Sequence, residues 1–127
     1  MANQKIILCD TGIFIQLFRG DEQIHQNLQT IGSENLALSV ITQGEIYFGM
    51  PKREVQRTRE LLAMFKTYHL DRQISVKFKE LMSEHADRKL ALPDALIAAT
   101  ALVNSLELYT LNTQDFIIIE DLKLYKP

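Results

Sequence analysis

The chain has 127 residues, of which 46% are hydrophobic and 24% charged. This length predicts a single domain, residues 1–127, and this composition excludes a disordered protein. One cysteine, Cys9, excludes an internal disulfide and therefore a secreted disulfide scaffold. Because no apolar run approaches the roughly 20 residues of a membrane span and the N-terminus lacks a secretory pattern, we expect no membrane partner and a cytoplasmic location.

The formal net charge of −2 is unevenly distributed along the chain. Residues 52–89 contain ten basic and six acidic residues, a balance of +4, whereas the rest of the chain has four basic and ten acidic residues, a balance of −6. The total charge does not indicate a nucleic-acid-binding protein, but the basic third is compatible with one.

Apolar periodicity predicts strands that alternate with helices. In chain order the predicted elements are a buried strand at 5–9, helices around 13–18 and 24–31, a strand at 36–40, a short helix around Glu45 capped by Thr42, amphipathic helices at 53–68 and 75–89, an almost wholly apolar central helix at 95–103, a strand at 106–111, a turn or helical piece at 112–116, and short terminal strands at 116–120 and 122–125. This alternation is typical of an α/β fold with a central, mainly parallel sheet.

Four acids are distinguished by their positions in this pattern. Asp10 ends the first predicted strand, Asp115 follows the strand at 106–111, and Asp94 begins the apolar central helix. Glu45 lies among apolar residues, and neither Glu45 nor Asp94 has a Lys or Arg three or four positions away. An unpaired carboxylate in apolar surroundings costs several kcal/mol unless it is compensated. The pattern therefore indicates a bound cation.

Ligands in open parallel sheets lie at the carboxyl ends of the strands. Carboxylate oxygens without nearby His or Cys favour Mg²⁺ or Mn²⁺, and such ions are typical of phosphodiester chemistry. Spacing alone leaves other interpretations open: Asp10 and Asp94 are also good helix-start residues, and Asp115 is also an ordinary turn residue. A dehalogenase-type phosphatase would have Asp-x-Asp after the first strand. This chain has Gly12 in place of the second Asp, which argues against that class.

Four segments resemble one known family, in the order in which that family has them: KIILCDTGIFIQLFRG, SVITQGEIYFG, LPDALIAATAL and LYTLNTQDF. The chain resembles the PIN-domain ribonucleases, in particular the VapC-type toxins of bacterial toxin–antitoxin pairs, from Lys5 to Pro127. The resemblance implies a PIN-like α/β/α sandwich, an RNA substrate, a cognate antitoxin protein and a homodimer.

The resemblance also implies roles for individual residues. By position, Asp10, Glu45, Asp94 and Asp115 are catalytic acids that bind Mg²⁺ or Mn²⁺, and Thr11 is a supporting hydroxyl. Asn112 stands where some relatives have an acid, so either Asn112 or Asp115 completes the site. The implied reaction is attack of metal-activated water on an RNA phosphodiester bond, which leaves 5′-phosphate and 3′-hydroxyl ends. The alternative is a catalytically inactive PIN-fold module that binds RNA or protein.

The distribution of charge predicts where RNA would bind. We expect it on the basic third, residues 52–89, with Arg53, Arg57 and Lys66 on one face of the predicted helix at 53–68. The candidate contacts are Arg53, Arg57, Arg59, Lys66, Lys77, Lys79, Arg88 and Lys89.

Overall fold

Four short strands form one parallel sheet at the centre of the molecule. The structure, a computed structural model, describes residues 5–127. The strands are β1 (Ile7–Cys9), β2 (Leu36–Ser39), β3 (Lys66–Tyr68) and β4 (Glu107–Tyr109), in the spatial order β3-β2-β1-β4. In register, Ile7 lies beside Leu36 of β2 and Glu107 of β4. The prediction of a mainly parallel sheet is confirmed.

Seven α-helices connect and cover these strands in the described residues. They are α1 (Thr11–Phe18), α2 (Glu22–Ile31), α3 (Val40–Tyr47), α4 (Val55–Leu62), α5 (Arg72–Glu84), α6 (Leu92–Val103) and α7 (Thr113–Phe116), with single 3₁₀ turns at Ser33–Asn35, Lys52–Glu54 and Ala86–Arg88. No helix within residues 5–127 has both the length and the apolar character needed to cross a membrane.

Both faces of the sheet are covered at its two inner strands, β1 and β2, whose residues are all buried. Successive residues of these strands point to opposite sides of the sheet. Leu8 packs into one hydrophobic cluster with residues of α5 and α6. Its neighbours Ile7 and Cys9 pack into a second cluster with residues of α1, α2 and α4. The predicted α/β/α sandwich is therefore confirmed.

The apolar helix that the sequence predicts at 95–103 is α6, which begins three residues earlier. Pro93 lies in its first turn, where the missing N–H costs no hydrogen bond. The residues from Ala95 to Ala101 are almost all buried, and small alanines let the helix lie close to the sheet. Because α6 runs back across the sheet, its N-terminus lies near the carboxyl ends of the strands.

The predicted helix at 53–68 is wrong in its second half. Helix α4 ends at Leu62, and Lys66–Tyr68 form the edge strand β3, paired with β2. Thr67 and Tyr68 favour a strand conformation, and pairing with β2 prevails over the helical spacing. The single helical face predicted for Arg53, Arg57 and Lys66 is also wrong, because these residues belong to a 3₁₀ turn, a helix and a strand.

The prediction of two terminal strands, at 116–120 and 122–125, is wrong as well. Residues after Phe116 form turns, in which Ile119 and Leu122 are buried as separate apolar anchors. In the segment 122–125 only Leu124 forms a bridge, to Leu108 of β4. Three successive isoleucines resemble a strand in the sequence, but here only one of them is buried.

Two helix ends differ from prediction. Ser39, not Thr42, caps α3, because its hydroxyl accepts a hydrogen bond from the Ile41 N–H at 3.0 Å. Helix α5 begins at Arg72 and ends before His85, whose ring nitrogens lie 2.9 Å from the Leu81 carbonyl oxygen and 3.1 Å from that of Ile118. His85 therefore joins the end of α5 to the segment that follows α7.

Candidate functional site

The four acids singled out in the sequence lie at the carboxyl edge of the sheet, each on a different segment. Asp10 follows β1, Glu45 lies in α3 directly after β2, and Asp94 lies in the first turn of α6. Asp115 lies in α7, beyond the end of β4. Glu45 and Asp115 are close enough to raise the pKa of both Asp10 and Asp94 through charge repulsion. The fold thus brings all four together.

Asp10 is nearly inaccessible to solvent, with 5% of its surface exposed. Its Oδ1 accepts a hydrogen bond from the Thr11 N–H at 2.8 Å, and its Oδ2 accepts one from the Thr110 hydroxyl at 2.8 Å. Burial raises the pKa of Asp10, and these two hydrogen bonds oppose the rise. Asp10 is also the N-cap of α1, so the capping interpretation of this residue is correct. Capping does not remove it from the acidic cluster.

A chain of hydroxyl groups connects Thr42 to Glu45. The Thr11 hydroxyl donates to Glu45 Oε1 at 2.6 Å and lies 3.1 Å from the hydroxyl of Thr42. A hydroxyl has one proton to donate, so the Thr42 hydroxyl donates to Thr11 when Thr11 donates to Glu45. Glu45 itself is exposed, so the expected apolar surroundings are wrong, although it faces the other acids.

Asp94 titrates abnormally. Its pKa is raised from 3.8 to about 6, first by burial and then by the charges of Asp10, Asp115 and Glu45. Asp94 is not the cap of its helix, since the N-cap is Ala91. A structural role as helix cap therefore does not account for this residue.

Asn112 and Asp115 both lie on the exposed turn after β4. The Asn112 N–H donates to the Thr110 hydroxyl at 3.0 Å, and the Asp115 N–H donates to the Asn112 carbonyl at 3.0 Å. Of these two residues, only Asp115 carries a charge that raises the pKa of Asp10 and Asp94. This favours Asp115 over Asn112 as the fourth member of the site.

The sequence analysis missed Thr110. Its buried hydroxyl donates to Asp10 and accepts from the Asn112 N–H, so it joins the first acid to the turn that holds the last one. The pattern that could have revealed it is a polar residue directly after a buried strand, the same pattern that identifies Asp10.

The donor set fits a hard divalent cation. The four acids offer only carboxylate oxygens, with hydroxyl groups beside them, and this is the chemistry that Mg²⁺ and Mn²⁺ prefer. The two ion pairs of the described residues, Lys5–Glu107 and Lys77–Glu80, involve none of the four. Within residues 5–127, no three His, Cys, Asp or Glu side chains are arranged to hold one ion. The fit is therefore one of donor chemistry and uncompensated charge, not of a closed coordination shell.

A cavity of about 220 Å³ opens beside two of the acids. Its lining includes Asp94, Gln114 and Asp115 together with Arg88 and Lys89. Acidic and basic side chains therefore face the same small space, beside the N-terminus of α6.

Comparison with known proteins identifies the family of this fold. Residues 7–121 match the family model described as the PIN domain. Ribonuclease VapC10 of Mycobacterium tuberculosis is 32% identical over 121 residues, which cover 93% of this chain and 91% of that protein. Ribonuclease VapC1 of Methanocaldococcus jannaschii is 27% identical over 124 residues, which cover 94% and 86%. A solved toxin–antitoxin complex from Klebsiella pneumoniae matches with a TM-score of 0.80 and 37% identity, covering 95% of this chain and 99% of that one. The chain belongs to the PIN domain family and, within it, to the VapC-type proteins.

Proposed function

We propose that the chain is a Mg²⁺- or Mn²⁺-dependent endoribonuclease and the toxin of a toxin–antitoxin module. The observation on which this rests is the meeting of four carboxylates, from four separate segments, at the carboxyl edge of the sheet, none of which forms a salt bridge within residues 5–127. The relatives named ribonuclease VapC supply the class of reaction.

Asp10, Glu45, Asp94 and Asp115 are the residues proposed to hold the ion. Such an ion, when bound, activates water for attack on the phosphodiester bond and stabilises charge on the leaving oxygen. It would also relieve the charge repulsion that, together with the larger effect of burial, raises the pKa of Asp94.

Neighbouring groups hold these acids in place. The Thr11 N–H and the Thr110 hydroxyl each donate to a different oxygen of Asp10, which restricts the rotation of the carboxylate. The Thr11 hydroxyl donates to one oxygen of Glu45 and leaves the other without a protein donor among the described residues. Thr11 and Thr110 are therefore proposed as positioning residues.

The proposed partners are an RNA substrate and a small antitoxin protein. The antitoxin proposal is supported by the toxin–antitoxin complex of Klebsiella pneumoniae, whose matching chain is 37% identical to this one. A homodimer and a cytoplasmic location remain predictions. Light scattering at micromolar concentration tests the dimer, since a strict monomer would contradict it.

The direct test of the reaction is Mn²⁺-dependent cleavage of a panel of cellular RNAs. Wild type should cleave at least one RNA, and Asp10→Asn should not. Asp121→Asn, which changes an exposed acid that makes no side-chain hydrogen bond or ion pair in the described structure, is the matched control and should cleave as wild type does. If wild type binds RNA but cleaves none of the panel with Mg²⁺ or Mn²⁺, the inactive binding module becomes the better interpretation.

A further inference from the structure

Two basic residues share a cavity with two of the four acids. The 3₁₀ turn Ala86–Arg88 and the following Lys89 lead directly to the start of α6. Arg88 and Lys89 line the cavity of about 220 Å³ that Asp94 and Asp115 also line. The chain has fourteen basic residues in all, and these two are the ones that line this cavity.

Neither cation is engaged with the protein. Among the described residues, Arg88 and Lys89 form no salt bridge and no side-chain hydrogen bond, although acids lie across the same cavity. Both are exposed. Their charges are thus free to bind an anion from solution.

The backbone of Lys89 is held in an unfavourable conformation. Its φ is 55° and its ψ is 47°, in the left-handed region that residues other than glycine rarely adopt. Lys89 and Ser105 are the two non-glycine residues with positive φ in the described part of the chain. Glycine would adopt this turn without strain, so a lysine here needs a reason other than the path of the backbone, and strained residues are concentrated at functional sites.

We propose that Arg88 and Lys89 bind the phosphodiester backbone of the RNA next to the four acids. This inference rests on the proposed function and names the residues by which the substrate enters the site. Four carboxylates repel a polyanion, so an approaching phosphate needs positive charge on the same wall. Contacts of this type bind phosphates in any sequence, so Arg88 and Lys89 contribute affinity and orientation but no sequence preference.

The proposal also restricts the RNA-binding surface that the sequence predicts to a smaller part of residues 52–89. The charge distribution predicted RNA binding along all of residues 52–89. Lys66, in that range, lies on β3 with its ammonium 4.8 Å from the centre of the Tyr68 ring, and Lys79 lies on α5 beside a different cavity. The phosphate contact nearest the acids is assigned to the two residues that end the basic third.

The test is the double variant Arg88→Gln/Lys89→Gly. Binding of a fluorescently labelled, single-stranded RNA of mixed sequence is measured by anisotropy in EDTA, where no metal-dependent cleavage occurs. We expect affinity to fall about tenfold, as for two exposed charge contacts. The slope of log affinity against log salt should fall by about 1.4, because each phosphate contact on a single strand contributes about 0.7. Single-stranded DNA of the same sequence should lose affinity by the same factor.

Two controls separate charge from backbone strain. Ser105→Gly changes the other left-handed residue, which is itself uncharged and does not line the cavity beside Asp94 and Asp115, and it should leave RNA affinity unchanged. Lys79→Gln removes an exposed cation that forms no salt bridge in the described structure, and it should change affinity by less than twofold. Lys89→Gly alone should keep or raise the melting temperature while RNA affinity falls, so loss of fold cannot explain the loss of binding.

Unchanged RNA affinity and salt slope in Arg88→Gln/Lys89→Gly would overturn the proposal, and so would an equal loss in Lys79→Gln. In a parallel assay with Mn²⁺, the double variant should raise KM and leave kcat within about twofold. If the variant binds RNA normally while wild type cleaves, the phosphate site is wrong and the ribonuclease proposal stands. If wild type cleaves no RNA but the double variant binds RNA more weakly than wild type does, the ribonuclease proposal is wrong and the phosphate site stands.

Discussion

Acidic residues at the two edges of the parallel sheet differ in whether they form an ion pair with a basic residue. At the amino edge, Glu107 begins β4 and forms an ion pair with Lys5, with Nζ and Oε2 3.2 Å apart. At the carboxyl edge, the hydrogen bonds that Asp10 and Glu45 accept from the described residues come from hydroxyl and backbone N–H groups, and after burial the charges of both acids raise the pKa of Asp94. The fold compensates acidic charge at one edge and accumulates it at the other.

Cavity size alone would point to the wrong edge. The larger cavity, of about 750 Å³, is lined by residues that precede β1 and β4, such as Lys5 and Leu106, by the end of α6, and by three residues of other segments, Tyr68, Asp121 and Lys123. The cavity beside Asp94 and Asp115 measures only about 220 Å³. Unpaired charges that lie close together cost free energy, and such groups are concentrated at functional sites. The smaller cavity is therefore the better candidate for chemistry.

The largest expected effect comes from neutralising one acid at each edge. Asp94→Asn should reduce RNA cleavage by more than about 100-fold, the upper end of the loss caused by removing even an outer partner of a metal ligand. Glu107→Gln should leave cleavage unchanged and alter stability by less than about 1 kcal/mol, as for an exposed ion pair. Initial cleavage rates with Mn²⁺ measure both. Equal losses in the two variants would remove the functional distinction between the edges.

Metal binding should act at the carboxyl edge alone. At 100 times its dissociation constant, Mn²⁺ should stabilise the fold by about 2.7 kcal/mol. For a chain of this length that corresponds to about 10 °C in melting temperature. Scanning calorimetry should show this rise in Glu107→Gln but not in Asp10→Asn. A rise that persists in Asp10→Asn would place the bound ion elsewhere.

The difference between the edges was partly predictable from sequence. Asp10 and Asp94 stand at an abrupt change from apolar to polar residues, and a parallel topology brings such positions to one edge. The edge strand Lys66–Tyr68 was not predicted, because three residues at the end of an amphipathic pattern look like one more helical turn and only pairing with β2 makes them a strand.

Two features of the carboxyl edge cannot be read from local sequence, although the position of Thr110 directly after a buried strand marks it as a candidate. The hydrogen bond between Thr110 and Asp10 joins residues 100 positions apart, and the left-handed backbone of Lys89 cannot be inferred from a residue type that rarely adopts it. Local periodicity therefore predicts which segments are buried, whereas long-range hydroxyl contacts become visible only in the folded chain.

A smaller loss is expected when the hydroxyl chain to Glu45 is shortened. Thr42 is fully buried, and Thr11 is its one side-chain hydrogen-bond partner in the described structure. Thr42→Val keeps the shape but removes the donor to Thr11, so cleavage and Mn²⁺ affinity should each fall about tenfold. Thr42→Ser should restore both.

Thr100→Val is the matched control for this variant. Thr100 is equally buried, but its hydroxyl donates at 2.8 Å to the Leu96 carbonyl of its own helix. Cleavage by Thr100→Val should equal that of wild type. Equal losses in Thr42→Val and Thr100→Val would mean that the Thr42 effect is one of stability and not of Glu45 orientation.

The smallest expected effect is a pH dependence of stability without metal. The pKa of Asp94 rises from 3.8 to about 6 on folding, so the folded state binds this proton more tightly than the unfolded state does. Its contribution to the free energy of unfolding is therefore most favourable below pH 3.8 and is lost as the pH rises through about 6. Two pKa units correspond to about 3 kcal/mol, which solvent screening of this partly exposed carboxyl reduces to about 1 kcal/mol.

Urea unfolding in EDTA should show that the free energy of unfolding of Asp94→Asn rises by this amount relative to wild type between pH 4 and neutral pH, with no further rise above neutral pH. The free energy of Glu107→Gln relative to wild type should show no such rise across the same range, because at the amino edge Lys5 already compensates the charge. A constant difference between Asp94→Asn and wild type at every pH would mean that neither burial nor the neighbouring acids raise the pKa of Asp94.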